Sequence, residues 1–109
     1  MQIQKVPFGV TDWERISPTT HPGEAGEALW RTVEVGNIRV RMVEYTAGYI
    51  ADHWCSRGHV LLVLEGNLVM ELQNGEKYTM PPGTSFQVAD DGEPHRAVTQ
   101  KGAKVFIVD

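Results

Sequence analysis

The sequence predicts an all-β barrel or sandwich built from about eight short strands. Gly, Asn and Pro recur at short intervals along residues 29–109, and β-branched, aromatic and other apolar residues fill the intervals. No long segment shows helical periodicity, and there is no internal repeat. A chain of 109 residues can bury one modest core, so we expect a single domain.

The predicted strands follow from the positions of the turn residues. A first hairpin joins segments 29–35 and 38–45 across Gly36-Asn37, a pair suited to a primed two-residue turn because both residues tolerate positive φ. Each later break also contains Gly, Asn or Pro. These breaks separate six further segments, namely residues 60–64, 68–72, 76–80, 85–89, 95–99 and 103–108.

The amino-terminal segment has a different composition from the rest. Residues 1–28 contain three prolines and three glycines, which predicts an irregular arm with a short strand near Ile3 and a turn at residues 12–16. We divide the chain into this arm, which packs on the barrel or on a partner subunit, and a barrel over residues 29–109. Because residues 60–64 are apolar at every position, both faces of that strand need cover, and we predict a homodimer.

Composition argues against several classes of partner. The net charge is −4, with 22% charged and 41% hydrophobic residues, which is ordinary for a globular domain and predicts no binding of nucleic acid. The first residues lack the basic start and apolar run of a signal peptide, and no segment has the apolar length of a membrane span. We therefore expect a cytoplasmic protein with no membrane partner.

Four candidate metal ligands lie in two short segments. His53, Cys55 and His59 fall within eight residues of one another, and His95 opens a later strand. Alternation with period two gives His53, Cys55 and His59 the same parity, so they face the same way if that segment is extended. Trp54 then faces outward, and Asp52 is expected to orient a histidine rather than to bind the metal.

The spacing of these residues resembles two motifs of the cupins, which are small jelly-roll barrels. Gly48, the run His53-Trp54-Cys55, His59 and Gly66 match the order of the first motif, and Gly92 with Glu93-Pro94-His95 matches the second. The resemblance implies a cupin-type double-stranded β-helix with an irregular amino-terminal arm. It also implies one metal ion held by His53, Cys55, His59 and His95.

The ligand set that this resemblance implies differs from the common cupin set at two positions. Cys55 occupies the place of the second histidine, and His59 occupies the place of the glutamate. A sequence of the Asp-His-Trp-Cys type is similar to a group of small cupins named for that DHCW motif. A thiolate softens the site, which favours divalent Zn, Fe or Ni over Mg, Ca or Mn.

Several alternatives remain open for these residues. Four side-chain ligands around a tetrahedral zinc would close the site, an octahedral ion would keep two positions free, and Cys55 can instead stand beside a site of three histidines. The histidines can also be ordinary polar residues, and Cys55 a buried core residue. Arg41, Tyr45 and Gln87 alternate with apolar neighbours, so each either contacts a ligand or faces solvent.

Two functions follow as hypotheses. The first is a metal-dependent enzyme acting on a small organic substrate, with dioxygenase-like chemistry favoured and isomerase or lyase chemistry behind it. The second is a non-catalytic domain that binds or senses a small molecule, a metal or a redox change. No catalytic acid or base is assigned, because the sequence contains no nucleophile, phosphate-binding or paired-carboxylate motif.

Overall fold

The computed structural model describes residues 2–109, which form nine strands and one short 3-10 helix. The 3-10 helix spans Trp13–Arg15. The strands are β1 Thr19–Pro22, β2 Glu27–Val35, β3 Ile38–Tyr45, β4 His59–Gly66, β5 Leu68–Leu72, β6 Lys77–Met80, β7 Ser85–Val88, β8 His95–Val98 and β9 Ala103–Val108. All eight strands predicted for residues 29–109 are present, which confirms the all-β prediction.

Two antiparallel sheets form the sides of the barrel. The larger sheet has the strand order β1-β2-β3-β9-β4-β7, and the smaller sheet has the order β6-β5-β8. The order places β4 between β9 and β7, and β8 beside β5, although these strands are far apart in the chain. This crossing of chain-distant strands is what a jelly roll requires.

The core lies between the inner faces of the two sheets. Leu61 and Val63 on β4, Val43 on β3, Val105 on β9 and Leu68 on β5 are almost fully buried. These residues alternate with partly or fully exposed neighbours along their strands, as expected for strands with one face inward. Inward-facing positions therefore decide which polar side chains can enter the barrel.

The amino-terminal segment differs from the prediction in the position of its strand. Residues near Ile3 form no strand, although the Gln4 amide donates to Asn37 Oδ1 at 2.7 Å. The strand of this segment is instead β1, which lies later in the chain and pairs with β2 in register Thr19↔Trp30. The predicted turn at residues 12–16 contains the 3-10 helix, where Asp12 accepts a hydrogen bond from the Glu14 amide at 3.2 Å.

The first hairpin has the predicted two-residue loop and a primed turn. Val35 pairs with Ile38, so Gly36 and Asn37 are the two loop residues. Only Gly36 has a positive φ, of 54°, which matches the type II′ requirement for Gly at the first loop position rather than type I′. Within residues 2–109, no helix has the length and apolar composition needed to cross a membrane.

Candidate metal centre

Three side chains with metal-binding atoms converge inside one end of the barrel. The ligand atoms of Cys55, His59 and His95 all lie within 4.8 Å of one another. Nε2 of His59 and Nε2 of His95 are 2.9 Å apart. We refer to these three residues as the Cys-His-His cluster.

Backbone pairing explains why these residues meet. His59 and His95 are the first residues of β4 and β8, which belong to opposite sheets. Cys55 lies in the loop before β4, where its amide donates to the His95 carbonyl at 2.7 Å and its carbonyl accepts from the His95 amide at 3.0 Å. This isolated antiparallel bridge brings the thiol beside His95 without a continuous strand.

His53 lies outside the Cys-His-His cluster because the loop bulges before Cys55. Ile50 pairs with Val98 and Cys55 pairs with His95, so five residue steps on the loop oppose three on β8. The extra residues project toward solvent, and the side chain of His53 is 74% exposed and lies 2.6 Å from Asp52. The parity expected for His53 and Cys55 does not apply, because residues 51–54 are not a strand.

Trp54 also differs from its expected orientation. It lines the same cavity as the cluster instead of facing away from it. The guanidinium carbon of Arg96 lies 4.6 Å from the centroid of the Trp54 ring, which is a cation–π contact. Asp52, expected to orient a histidine, does contact a histidine ring, but that histidine is the exposed His53.

His95 is oriented by a backbone carbonyl. Its Nδ1 lies 2.9 Å from the carbonyl oxygen of Glu93, and a carbonyl can only accept a hydrogen bond. Nδ1 therefore carries the hydrogen, and Nε2 points its lone pair into the cluster when the ring is neutral. The contact with Cys55 raises the pKa of His95, and burial opposes this shift.

Cys55 is a free thiol of intermediate exposure. The contact with His95 lowers the pKa of the Cys55 thiol, while partial burial opposes this shift. A lowered pKa favours the thiolate, which is the form that binds metals. The sulfur is therefore prepared to act as an anionic ligand.

His59 is oriented by packing and by a carboxylate. Its largely buried ring contacts Phe86 edge-on, with centroids 5.5 Å apart, and Phe86 contacts His95 at the same centroid distance. Nδ1 of His59 lies 3.5 Å from Asp109 Oδ2, too far for a well-formed hydrogen bond. This buried nitrogen consequently has no hydrogen-bond partner.

The arrangement of nitrogen lone pairs on the two imidazoles favours a positive charge beside them. A hydrogen on Nδ1 of His59 faces a carboxylate, and then both Nε2 atoms present lone pairs to each other at 2.9 Å. A hydrogen on Nε2 instead leaves a lone pair of Nδ1 facing the negative carboxylate. A metal ion or an additional proton removes either repulsion.

The donor set fits a transition metal. Two nitrogens bound to one zinc ion at about 2.0–2.1 Å lie roughly 3 Å apart or slightly more, which agrees with the observed separation of 2.9 Å. Two imidazoles and a thiolate are ligands typical of zinc and other transition metals rather than magnesium or calcium. The Cys-His-His cluster can therefore hold a metal ion.

A cluster of arginines around Asp109 lies beside this centre. Arg39 donates to Asp109 Oδ1 and Oδ2 at 2.9 and 3.0 Å, and Arg41 donates to Oδ2 at 3.0 Å. Nε of Arg57 lies 3.4 Å from the same oxygen. Burial would raise the pKa of the Asp109 carboxyl, but the contacts with His59 and the arginines hold it well below its usual range.

Sequence reasoning missed Asp109 and the roles of Arg39 and Arg57. Arg41 was a candidate for contact with a ligand, and the structure places it in the interior with only 5% of its surface exposed. Position parity on β3 could have shown that Arg39, Arg41 and Val43 share one face. It could not show that Asp109 meets them, because Asp109 lies 68 residues from Arg41.

The cluster and the arginines share one cavity of about 370 Å³. Its walls include Trp30, Tyr45 and Tyr49, and His53 and Arg57 also line it. Gln87, the third residue considered for ligand contact, does not line this cavity but borders a smaller apolar pocket that His95 also lines. The site therefore combines metal-binding atoms, a positively charged wall and aromatic surface.

Comparison with known proteins identifies the fold. No protein-family model matches the chain, and no curated protein matches it. Among solved structures, the chain is similar to the polyketide cyclase RemF from Streptomyces resistomycificus, with a TM-score of 0.78 and 19% identity over 94% of this chain and 78% of that chain.

Two further structures show the same likeness. A sugar phosphate isomerase from a cupin superfamily, from Silicibacter pomeroyi, has a TM-score of 0.70 and 19% identity over 92% of this chain and 74% of that chain. Fe(II)-HppE with the alternative substrate (S)-1-HPP has a TM-score of 0.76 and 16% identity over 94% of this chain and 60% of that chain. The chain is an all-β jelly-roll protein, and its fold is the cupin fold, as the sequence motifs predicted.

Proposed function

We propose that the protein is a metal-dependent enzyme that acts on a small organic substrate. The observation that carries this proposal is the convergence of Cys55, His59 and His95 at the wall of a cavity, with two imidazole nitrogens 2.9 Å apart. A centre with three protein ligands leaves positions for water or substrate, as catalytic metal sites do. The adjoining cavity gives a small molecule access to those positions.

The metal proposed is a divalent Zn, Fe or Ni ion, with Fe(II) favoured. The likeness to Fe(II)-HppE supports iron, and the likenesses to an isomerase and a cyclase support reactions other than oxidation. When bound, such an ion supplies dioxygen activation or Lewis-acid polarisation of a substrate oxygen. Dioxygenase-like chemistry is therefore proposed first, and isomerase or lyase chemistry second.

The surrounding residues have defined tasks in this proposal. The Glu93 carbonyl fixes the ring of His95, and Phe86 packs against both imidazoles. Phe86 therefore restricts the rotation of both rings and excludes water from one side of them. Asp109 faces the outer nitrogen of His59, which is the position from which a carboxylate orients a metal-binding histidine.

His53 is proposed as a ligand that joins the centre only if its loop moves inward. It lines the cavity, but its exposed ring contacts Asp52 rather than the cluster. If His53 binds in solution, the site has four protein ligands, and a tetrahedral zinc would then be closed and structural. The behaviour of His53 therefore separates a catalytic centre from a structural one.

Metal analysis of anaerobically purified protein tests this proposal. We expect one Fe, Zn or Ni ion per chain, with affinity lowered by at least about a hundredfold in Cys55→Ser and His95→Gln, because each removes a direct ligand. His21→Ala is the matched control, since His21 stacks on Trp30 and neither belongs to the cluster nor lines the cavity. Absence of metal from protein made in metal-replete cells, and no uptake on reconstitution, would reject the proposal.

A His53→Ala variant decides between open and closed coordination. An open centre predicts that metal affinity changes by less than about threefold and that water exchange at the metal persists. Loss of the metal in this variant, together with a zinc that has no exchangeable water, would show a structural site and sink the enzymatic proposal. Circular dichroism of each variant separates loss of metal from loss of fold.

The second candidate function is a non-catalytic domain that binds or senses a small molecule, a metal or a redox change. The observation that favours it is the free thiol of Cys55, which lines the cavity and lies within reach of two imidazoles. Oxidation of that sulfur would remove a metal ligand. Reversible release of the metal on treatment with peroxide, without turnover of any substrate, would favour the sensor.

We also propose that the protein forms a homodimer. Val60, Leu62 and Leu64 on β4 are exposed on the outer face of the larger sheet, and contiguous exposed apolar surface is typical of interfaces. Phe8 and Val10 in the arm are almost fully exposed as well. These exposed residues support an arm that packs on the barrel or on a partner subunit. The proposed division into an arm at residues 1–28 and a barrel at residues 29–109 needs one correction, because β1 and the first residues of β2 pair into the larger sheet.

We further propose that the protein belongs to the group of small cupins that carry the DHCW motif and that it works in the cytoplasm. Each motif residue has a local role: Asp52 contacts His53, Trp54 lies beneath Arg96, and Cys55 joins the cluster. A reducing compartment fits this site because it keeps a lone cysteine as a thiol that can bind metal. Cysteine-reactive labelling in intact cells would test the redox state of Cys55.

A further inference from the structure

We propose that the cavity beside the Cys-His-His cluster binds a small organic oxyanion, a carboxylate or a phosphate ester, through Arg41 and Arg57. This deepens the proposed function, on which it rests for the identity of the site, by naming the substrate class. Guanidinium groups recognise both kinds of oxyanion through charge-assisted hydrogen bonds.

The first argument is an imbalance of charge. The guanidinium groups of Arg39, Arg41 and Arg57 all approach the single side-chain carboxylate of Asp109. Arg39 occupies both of its oxygens with two hydrogen bonds, so Arg41 and Arg57 share what remains. Three positive side chains against one negative side chain leave an excess at the cavity wall. Solvent screens the charge of the buried Arg41 only weakly, so a bound anion would offset part of this excess.

The fourth arginine of the cavity does not contribute to this excess. Nε of Arg96 donates to Glu71 at 2.8 Å, and its Nη1 lies 3.8 Å from Glu24. Its remaining face lies over the Trp54 ring. Arg96 therefore has carboxylate partners of its own, and the anion site is confined to the side of the cavity that carries Arg41 and Arg57.

The second argument is an unused donor on Arg41. Only 5% of the surface of Arg41 is exposed, and its Nε atom has no hydrogen-bond partner. A buried donor without a partner destabilises the fold. The face of the guanidinium already lies over Trp30, 4.4 Å from the ring centroid. Nε is closed to solvent in this structure, so a bound anion gives it the missing acceptor only after a small movement of the guanidinium.

The third argument concerns distance from the metal centre. Arg57 lies two residues from both Cys55 and His59, and it lines the same cavity. An anion held between Arg57 and Arg41 therefore has its remaining atoms beside the cluster. The cavity volume of about 370 Å³ lies near the lower end for ligand sites, which fits a small molecule. Tyr45 and Tyr49 supply wall surface for its carbon skeleton.

Calorimetric titration of the purified protein, with and without metal, tests the proposal. The probes are succinate, its uncharged diamide succinamide, and inorganic phosphate. We expect an anion to bind and succinamide not to bind, and we expect Arg41→Gln and Arg57→Gln each to weaken the anion by about tenfold or more. Arg31→Gln is the control, because Arg31 pairs with Glu44 and lies outside the cavity.

Arg57→Gln keeps the test decisive if Arg41→Gln fails to fold, because Arg57 is half-exposed. Binding of succinate alone identifies a carboxylate site, and binding of phosphate alone identifies a phosphate site. Equal binding of succinate and succinamide, no binding of either anion, or unchanged affinity in both variants would overturn the inference and leave the arginines as structural partners of Asp109.

The outcome is distinguishable from failure of the proposed function. Anion binding that depends on Arg41 and Arg57 in a protein that never takes up metal would retain the oxyanion site and reject the metal-dependent enzyme. Metal uptake by the Cys-His-His cluster without anion binding would retain the proposed metal centre and reject the oxyanion site. Performing the titration on both forms of the same preparation therefore tests the two proposals separately.

Discussion

Each face of the larger sheet carries some residues that are usually found on the opposite face of a sheet. On the inner face, buried charged groups meet: Arg41 and Asp109 form an ion pair with at most 6% of either side chain exposed. On the outer face, Val60, Leu62 and Leu64 are exposed. Charge inside a barrel costs stability unless it is paired, and apolar surface outside it needs cover. The inner face therefore fits the proposed ligand, and the outer face fits the proposed partner subunit.

The largest effect is expected from removing the buried negative charge. Asp109→Asn leaves Arg39 and Arg41 without a countercharge in the barrel, and breaking a buried ion pair costs about 3–5 kcal/mol. We expect that loss in the free energy of unfolding measured with urea. Asp12→Asn is the control, since Asp12 is exposed and Asn caps helices equally well.

A second replacement sharpens this test. In the Asp109→Asn background, Arg41→Met removes one of the unpaired charges and should recover part of the lost stability. If Asp109→Asn alone costs less than about 1 kcal/mol, the ion cluster is solvated in solution. The charged residues of the inner face would then not be buried as the comparison of the two faces requires.

The apolar residues of β4 give the next largest contrast. Leu61→Ala opens a cavity in the core and should cost about 3 kcal/mol, because Leu61 is almost fully buried. Leu62→Ala on the outer face of the same strand should cost under about 1 kcal/mol in a monomer. Urea unfolding at several protein concentrations measures both. Equal costs at low concentration would contradict the assignment of inner and outer faces.

The outer face can be tested directly by adding charge. Leu62→Asp should convert the proposed homodimer to a monomer, because a carboxylate in an apolar interface is desolvated without a partner. Sedimentation equilibrium measures the change, with Thr79→Asp on the exposed outer face of β6 as the matched control. A wild-type protein that is already monomeric would contradict the proposed homodimer.

The smallest effect is expected from an ion pair on the smaller sheet. Arg96 donates to Glu71 at 2.8 Å, and this contact holds the pKa of Glu71 below its usual range, with Lys77 adding to the effect. The pair therefore stabilises the fold above the unfolded pKa of Glu, about 4.3, and the contribution is lost as pH falls through the lower folded value.

Replacing Glu71 by Gln should remove the contribution of this ion pair to the free energy of unfolding. We expect a loss of about 0.2–1 kcal/mol at pH 7 that shrinks in high salt and vanishes in acid. Unfolding free energies measured from neutral pH into acid test this, with Glu65→Gln as the control because Glu65 is exposed. A loss that grows as the pH falls would have the opposite sign from the one derived for a lowered pKa.

The strands could be predicted because their signals are local. Turn residues and alternating apolar positions located every strand from β2 to β9, and the metal-ligand motifs identified the fold. The strand β1 was missed because its four residues end in Pro22 and contain only two β-branched residues, Thr19 and Thr20. Its partner β2 supplies the pairing that its own sequence does not indicate.

The site could be predicted only in part, because its geometry depends on contacts between distant segments. The sequence indicated Cys55, His59 and His95, and the structure brings them together. For His53, period-two alternation was the wrong guide, since the loop bulges between Ile50 and Cys55. Asp109 carries no local signal at all, because what matters is its arrival beside Arg39 and Arg41 through the pairing of β3 with β9.

The three tryptophans are natural optical reporters of the two faces. Trp30 and Trp54 line the cavity beneath arginine side chains, so filling the cavity changes the electric field that sets their emission wavelength. Trp13 packs edge-on against Phe106, with ring centroids 6.2 Å apart, and reads the outer surface instead. Proteins that retain one tryptophan each would therefore report occupancy and assembly as separate fluorescence signals from an unlabelled chain.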